Sequence, residues 1–236
     1  MTNKYWCDNS PVWTHYGNAS SVLFPAWEKA FAAVVTHYLP VVKDAALKQR
    51  MVEFIKEELS HASAHEAFNT RHGLKELEEK EYRQTRIVYK RPNLPFWLGT
   101  MVSIEHLAAC MSRSVLGRWK NNPDRDYKLF CWHAVEELGH KSLAIDLWNY
   151  LGFSETELKK IAKTNQKYVM GFLIGYTIKN VYKDGQLKKL STWKDLFSWS
   201  YFVTSKVLLP MLTIYLPNFH PNNVDDEQYL RALAWN

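Results

Sequence analysis

The stretch Cys131-Trp132-His133-Ala134-Val135-Glu136-Glu137-Leu138-Gly139-His140 decides how the rest of the chain is read. At 100° per residue on a helix, His133, Glu137 and His140 fall within about 60° of one another. A carboxylate and two imidazoles on one side of a helix make a metal-ligand face rather than a packing face. An earlier stretch, Glu57-Glu58-Leu59-Ser60-His61-Ala62-Ser63-Ala64-His65, repeats the arrangement, with Glu58, His61 and His65 sharing a face.

Each stretch holds a Glu-x-x-His pair, Glu58/His61 and Glu137/His140. A carboxylate-bridged two-metal site in a four-helix bundle needs one further Glu from each of two other helices. Glu28 stands amid Phe24, Ala32 and Val35, and Glu105 amid Met101, Val102, Leu107 and Ala108. A lone Glu on an apolar stripe is costly to bury unless it is paired or bound to metal. The spacing supports the set: 30 residues separate Glu28 from Glu58 and 32 separate Glu105 from Glu137. The two halves are offset by 77 residues at the first Glu and 79 at the His. The expected ligands are therefore Glu28, Glu58, His61, Glu105, Glu137 and His140. His65 and His133 are additional candidates, as ligands, proton-transfer groups or ordinary buried imidazoles. Metal-bound imidazoles donate their second N–H to an outer acceptor. Glu57 and Glu136, each just before a ligand Glu, are assigned that part, each for the His of the opposite helix. The alternative is that both are solvated charges.

Working outward, residues 1–20 read as an irregular arm. Ser20 or Ser21 can cap a first helix with Pro25 in its opening turn, and Pro40 ends it. A second helix is expected over about 44–69, with Gly73 as its stop. Residues 75–90 are highly charged and read as a surface helix or crossover. Residues 91–95 form a turn. A third helix spans about 96–119, and a fourth runs from about Asp126 to Leu151 with Gly152 as its stop. Helices of this length reach roughly 35–40 Å. The fold class is all-α: a ferritin-like four-helix bundle over residues 21–152, with additional C-terminal helices over 153–236. One domain contains them all.

The chain has 236 residues, 47% hydrophobic and 23% charged, which is a folded composition. A net charge of +6 is scattered rather than blocked, which argues against nucleic-acid binding and leaves a contact with acidic membrane surfaces open. Cys7, Cys110 and Cys131 offer neither a disulfide framework nor a Cys-x-x-Cys pair. With no signal-peptide run and no 18 uninterrupted apolar residues, the expectation is a cytoplasmic protein without a transmembrane segment. Residues 153–236 are candidates for a lid, a homodimer interface or a peripheral membrane contact.

Taken together, several strings resemble a known family. They are Phe24-Pro25-Ala26-Trp27-Glu28 with Phe31, Glu58-x-x-His61-x-x-x-His65, Glu105-His106, Trp132-His133-x-x-Glu136-Glu137-x-x-His140-Lys141, and Phe219-His220-Pro221. The chain is similar over nearly its whole length to the predicted metal-dependent hydrolases. Members of that family tend to carry Gly where this chain has Trp27 and Gln where it has Glu57. The resemblance implies a dinuclear metal centre on a ferritin-like bundle. Asp146 matches an Asp of the family and joins Glu57 and Glu136 as an outer residue. Nine residues beyond Glu137, it lies on the opposite side of a regular helix. It is expected to bond another helix or the C-terminal segment rather than a metal.

Mixed Glu/His ligation suits iron, with manganese or zinc as alternatives. The leading expectation is two metal ions per chain, most simply di-iron, activating dioxygen to oxidise a small hydrophobic substrate. Such a reaction would draw on an electron donor. The alternative is a metal-dependent hydrolase using a water between the ions. Iron handling is a third reading.

Overall fold

The computed structural model describes residues 4–86 and 93–231, and every regular element among them is helical. In chain order these are α1 (Pro11–Tyr38), α2 (Ala45–Arg71), α3 (Lys75–Thr85), α4 (Leu94–Trp119), α5 (Arg125–His140), α6 (Leu143–Tyr150), α7 (Glu155–Lys183) and α8 (Leu190–Phe202). A π-helical turn (Val203–Leu208), short helical pieces and a last helix, α9 (Glu227–Arg231), complete the chain. Helix α1 packs along α2, and α4 along α5. Contacts of α1 with α4 and of α2 with α5 join the two pairs. Helix α7 lies across α1 and α4, while α8 rests on α1. At Gly99 a Cβ would come within 2.8 Å of Ile161 and 3.0 Å of Trp148, so only glycine lets α4 approach its neighbours this closely.

The caps explain most boundaries. Asp44 accepts the Leu47 N–H at 2.7 Å and starts α2. Gly73 and Gly152 take positive φ (69° and 72°), as a stop in the left-handed region requires. Ser154 opens α7 through the Thr156 N–H.

Two boundaries differ from the sequence reading. The irregular arm does not extend to residue 20: α1 begins at Pro11, with the Ser10 hydroxyl oxygen accepting the Trp13 N–H. The Ser20-Ser21 pair looked like a cap because Pro25 follows it. Pro25 instead sits inside the helix, where it removes one backbone hydrogen bond. Ser20 donates to Tyr16 O, and Ser21 faces α2. The fourth helix is also broken. It ends at His140 and resumes at Leu143, and Lys141 is drawn out to Val224 O and Asp226. A contact made by residues more than 80 positions away cannot be read from local pattern.

The charged segment after Gly73 forms α3, yet Glu78 and Glu81 are buried beneath it. Residues 87–90 of the expected surface segment, and Arg91 and Pro92 of the expected turn, lie outside the described residues, while Leu94 and Pro95 of that turn instead open α4 behind the Asn93 cap. Helix α4 is long and apolar enough to cross a membrane, but two-thirds of its most apolar window is buried within the chain.

Candidate metal centre

Four helices aim polar side chains into one apolar interior. Glu28 comes from α1, Glu58, His61 and His65 from α2, Glu105 from α4, and His133, Glu137 and His140 from α5. None of the eight is more than 8% exposed. The Glu-x-x-His spacing does on both α2 and α5 what periodicity demands, turning carboxylate and imidazole to the same side.

These atoms form two groups, each able to hold one cation. Glu28, His61, His133 and Glu137 make the first, and Glu58, His61, Glu137 and His140 the second. Within each group the donor atoms lie within 4.8 Å of one another. Glu137 and His61 belong to both, which places the two positions side by side. In the first, His133 Nε2 lies 2.8 Å from Glu137 Oε1 and 3.4 Å from Glu28 Oε1. In the second, His140 Nε2 lies 3.5 Å from Glu58 Oε1, and His61 Nδ1 is 3.8 Å from both Glu58 and Glu137.

The hydrogen bonds around this centre fix which nitrogen each ring turns inward. The Asn69 amide donates to Ser21 O (3.1 Å) and to Glu78 (2.7 Å), so its oxygen is the acceptor for the Ser21 hydroxyl (2.8 Å). The Ser21 oxygen then accepts from His65 Nδ1 at 2.8 Å. That leaves His65 Nε2 to accept from His133 Nδ1 at 2.9 Å. His133 therefore turns Nε2 to Glu28 and Glu137, 2.8 Å from Glu137 Oε1, where a proton or a metal ion can lie between them. Likewise His61 Nε2 donates to Glu136 at 2.7 Å, and His140 Nδ1 to Glu105 at 3.2 Å. The inward atoms are His61 Nδ1 and His140 Nε2. Each inward nitrogen faces carboxylate oxygens, so a proton, as on the raised His140, or a metal ion must lie between them.

Unsatisfied atoms mark the same place. Both oxygens of Glu28 and of Glu58, Glu137 Oε2, His61 Nδ1 and His140 Nε2 are buried without a hydrogen-bond partner. Leaving one buried polar group unpaired costs about 1–3 kcal/mol, and more when it is charged. A divalent ion in each group would satisfy these atoms, so the donor set fits metal.

Electrostatics agree. Burial lifts the Glu28 and Glu58 carboxyls well above the ordinary carboxylate range, and the other acids of the centre add to the rise. Burial and Glu137 push Glu105 up to about 7. Glu137 feels the same burial, but His140 and His133 outweigh it and hold it low. Burial opposes charge on His140, yet Glu137 and Glu105 raise it to about 9. Burial, and then His133, keep His61 and His65 well below the usual histidine range.

The outer residues divide. Glu136 supports His61 and is itself held by Trp132 Nε1 at 2.9 Å. Glu57, on the corresponding site of α2, makes no such bond to His140, whose Nδ1 is taken by Glu105. Glu105 thus stands behind His140 and outside both groups. His65 stands behind His133. Asp146 lies away from the centre, receiving Arg50 of α2 at 2.7 Å and His220 of the C-terminal segment at 3.0 Å. Ser21, Asn69 and Glu78 were not anticipated from sequence. Their signal was a set of small or acidic polar residues on faces that are otherwise buried.

A narrow apolar pocket, partly open to solvent, reaches His133 and Glu137 between α1, α4 and α5. Phe24, Met111, Val115, Phe130 and Phe202 line it, and Arg118 is among the few polar residues of its wall. A second narrow apolar pocket shares Ser20, Phe24, Ala108 and Met111 with it and extends toward Trp27, Val169 and Leu173. Phe24 packs on both His65 (4.7 Å between ring centres) and His133 (4.5 Å).

No curated protein and no solved structure matches the chain. The family model described as "Predicted metal-dependent hydrolase" matches residues 1–225, nearly all of a chain whose buried Glu and His side chains are grouped to hold metal; the chain belongs to that family.

Proposed function

We propose that the protein is a dinuclear metal-dependent hydrolase acting on a small, largely apolar substrate, built on a ferritin-like arrangement of α1, α2, α4 and α5. The observation that carries this reading is the set of unpartnered ligand atoms in two groups that share Glu137 and His61, at the inner end of an apolar cavity. The family's description points the same way. Glu28, His133 and Glu137 would hold one ion and Glu58, Glu137 and His140 the other, with the single inward nitrogen of His61 available to one of the two. Iron, manganese and zinc all suit these donors. When bound, such a pair polarises a substrate oxygen and yields a nucleophilic water at neutral pH.

The chain's own residues hold and orient. Glu136 and Glu105 fix the rings of His61 and His140, and the Ser21–His65 chain fixes that of His133. Phe24 and its apolar neighbours exclude bulk water and receive the substrate's hydrocarbon. Arg118, on the same wall, is ion-paired with Asp8 at 2.7 Å and stacked on Trp13.

A second reading, oxidation of the same substrate class by a di-iron centre using dioxygen and an external electron donor, is favoured by one observation. The cavity wall near Glu137 is almost wholly apolar and offers no dedicated donor pair to a scissile carbonyl. Reconstitution separates the two. Medium-chain esters and phosphoesters turned over under Mn or Zn support the hydrolase. Anaerobic loading with Fe(II), then dioxygen, giving near-UV ferric absorption with substrate oxidation and no hydrolysis, overturns it.

A further inference from the structure

Helix α8 is apolar on both sides, but only one side is covered. Trp199 and Val203 are buried against the rest of the chain, with Leu196 and Phe202 half-buried beside them. On the other side Leu190, Trp193, Phe197 and Tyr201 are 75, 55, 79 and 66% exposed. At 100° per residue these four fall within about 80° of one another. A contiguous exposed apolar face of this kind marks an interaction surface.

The backbone that follows keeps the face in line. A continuous α-helix would carry Leu209 about 100° away from the line of Leu190 and Tyr201. The chain instead makes a π-helical turn over Val203–Leu208, and the Leu209 N–H reaches back five residues to Thr204 O. Pro210, which has no N–H to offer the Lys206 carbonyl, favours the departure. The wider turn takes up roughly one extra residue and returns Leu209 and Leu212 to the line. They are 59% and 50% exposed.

Charge completes the description. Lys183, Lys188, Lys189, Lys194 and Lys206 are all exposed and lie on α8 or within seven residues of its ends along the chain. The acids between residues 183 and 216 are Asp184 and Asp195. Asp184 is held by Tyr5, His15 and Lys4, and Asp195 by the Ser10 hydroxyl. Trp and Tyr within an apolar face with lysines nearby in the chain have the chemistry of a helix lying in the lipid headgroup region.

We propose that the exposed face of α8 and the π-turn docks on an anionic lipid bilayer. A second copy of the chain is the weaker occupant, because a two-fold contact would bring the same lysines together. The proposal does not depend on the reaction at the metal centre. Phe202 lines the cavity from the covered side of the same helix, so the docking element is also a wall of the candidate site.

The test is sedimentation of the full chain with phosphatidylcholine vesicles, with and without phosphatidylserine, alongside Phe197→Ser, Trp193→Ser/Phe197→Ser and Lys189→Glu/Lys194→Glu. Circular dichroism and thermal melts confirm that each is folded. Partitioning to the anionic vesicles should weaken by at least ~10-fold in the Lys189→Glu/Lys194→Glu variant, and should fall with added salt. Phe197→Ser alone should reduce it measurably. No partitioning of the parent chain to anionic vesicles overturns the proposal. So does equal binding by parent and folded variants, or a dimer in solution that Phe197→Ser dissolves while vesicle binding stays absent.

Discussion

Around Glu137 the chain buries charge, and along Phe197 it exposes hydrocarbon. The two regions break the usual sorting of residues in opposite directions. Inside the helical core, carboxylates and imidazoles with unpartnered atoms occupy a space that leucines would fill at lower cost. On α8, large apolar side chains stand in water, with exposed lysines near them along the chain. Neither departure helps the isolated chain fold. Both become favourable only with something added: cations in the first case, a lipid surface in the second. Departures from consistent patterning gather where a protein binds something.

The comparison breaks most decisively at Glu137. Glu137→Gln removes a donor from both groups, so metal per chain, measured by mass spectrometry after dialysis, should fall from about two to well under one. Retention of both ions would mean that Glu137 is no ligand.

Next comes a charged cluster that is satisfied without any ion. Asp226 receives Arg113 Nε at 2.5 Å and Nη2 at 2.9 Å, and also Lys141. Burial raises its carboxyl, but Arg113 and Lys141 outweigh that and hold it below the usual range. Its contribution is fully present above the unfolded carboxylate pKa and is lost as pH falls through the lower folded value. Asp226→Asn should cost about 3 kcal/mol in urea melts at pH 7, and progressively less as the pH is taken below about 4. A pH-independent loss would show that the charge on Asp226 is not what matters.

Third, Ser21→Ala removes the group that sets His65 and, through it, His133. Metal affinity should drop about 10- to 100-fold, with Ser21→Thr restoring part of it. Fourth, Glu58→Gln should change sign with loading. It should weaken metal binding, yet raise the melting temperature of the metal-free chain by about 3 °C at pH 7, since folding no longer has to protonate a buried carboxylate. Destabilisation of both forms would show that Glu58 is paired in the ion-free chain. Last, Phe197→Ser should leave folding stability within about 0.5 kcal/mol, the behaviour of a surface position. A larger loss would place Phe197 in the core and remove one side of the comparison.

Periodicity made the centre legible. The two Glu-x-x-His pairs and the isolated acids at Glu28 and Glu105 stood out because each lies on a face where the pattern demands an apolar residue. Roles that depend on rotation about a helix, or on distant contacts, were not legible. Glu57 and Glu136 occupy equivalent sequence positions, but only Glu136 turns toward a ring. Glu105 lies against His140 rather than within either group. Ser21 and Asn69, 48 residues apart, had no sequence signal linking them. Lys141, just past the end of α5, is bonded to Asp226, a contact with no local signal, and the π-turn after Phe202 has no simple pattern apart from Pro210.

The depth of the centre has a kinetic side. The cavity that leads to Glu137 is lined with hydrocarbon, a poor path for a hydrated cation. Through that wall an ion would pass only by local opening of the packing. We infer that the metal carried would then reflect what was available while the chain folded. Batches grown on different metals should keep different ions through purification, and a chelator should strip them at the rate of local opening rather than at the rate of its own binding.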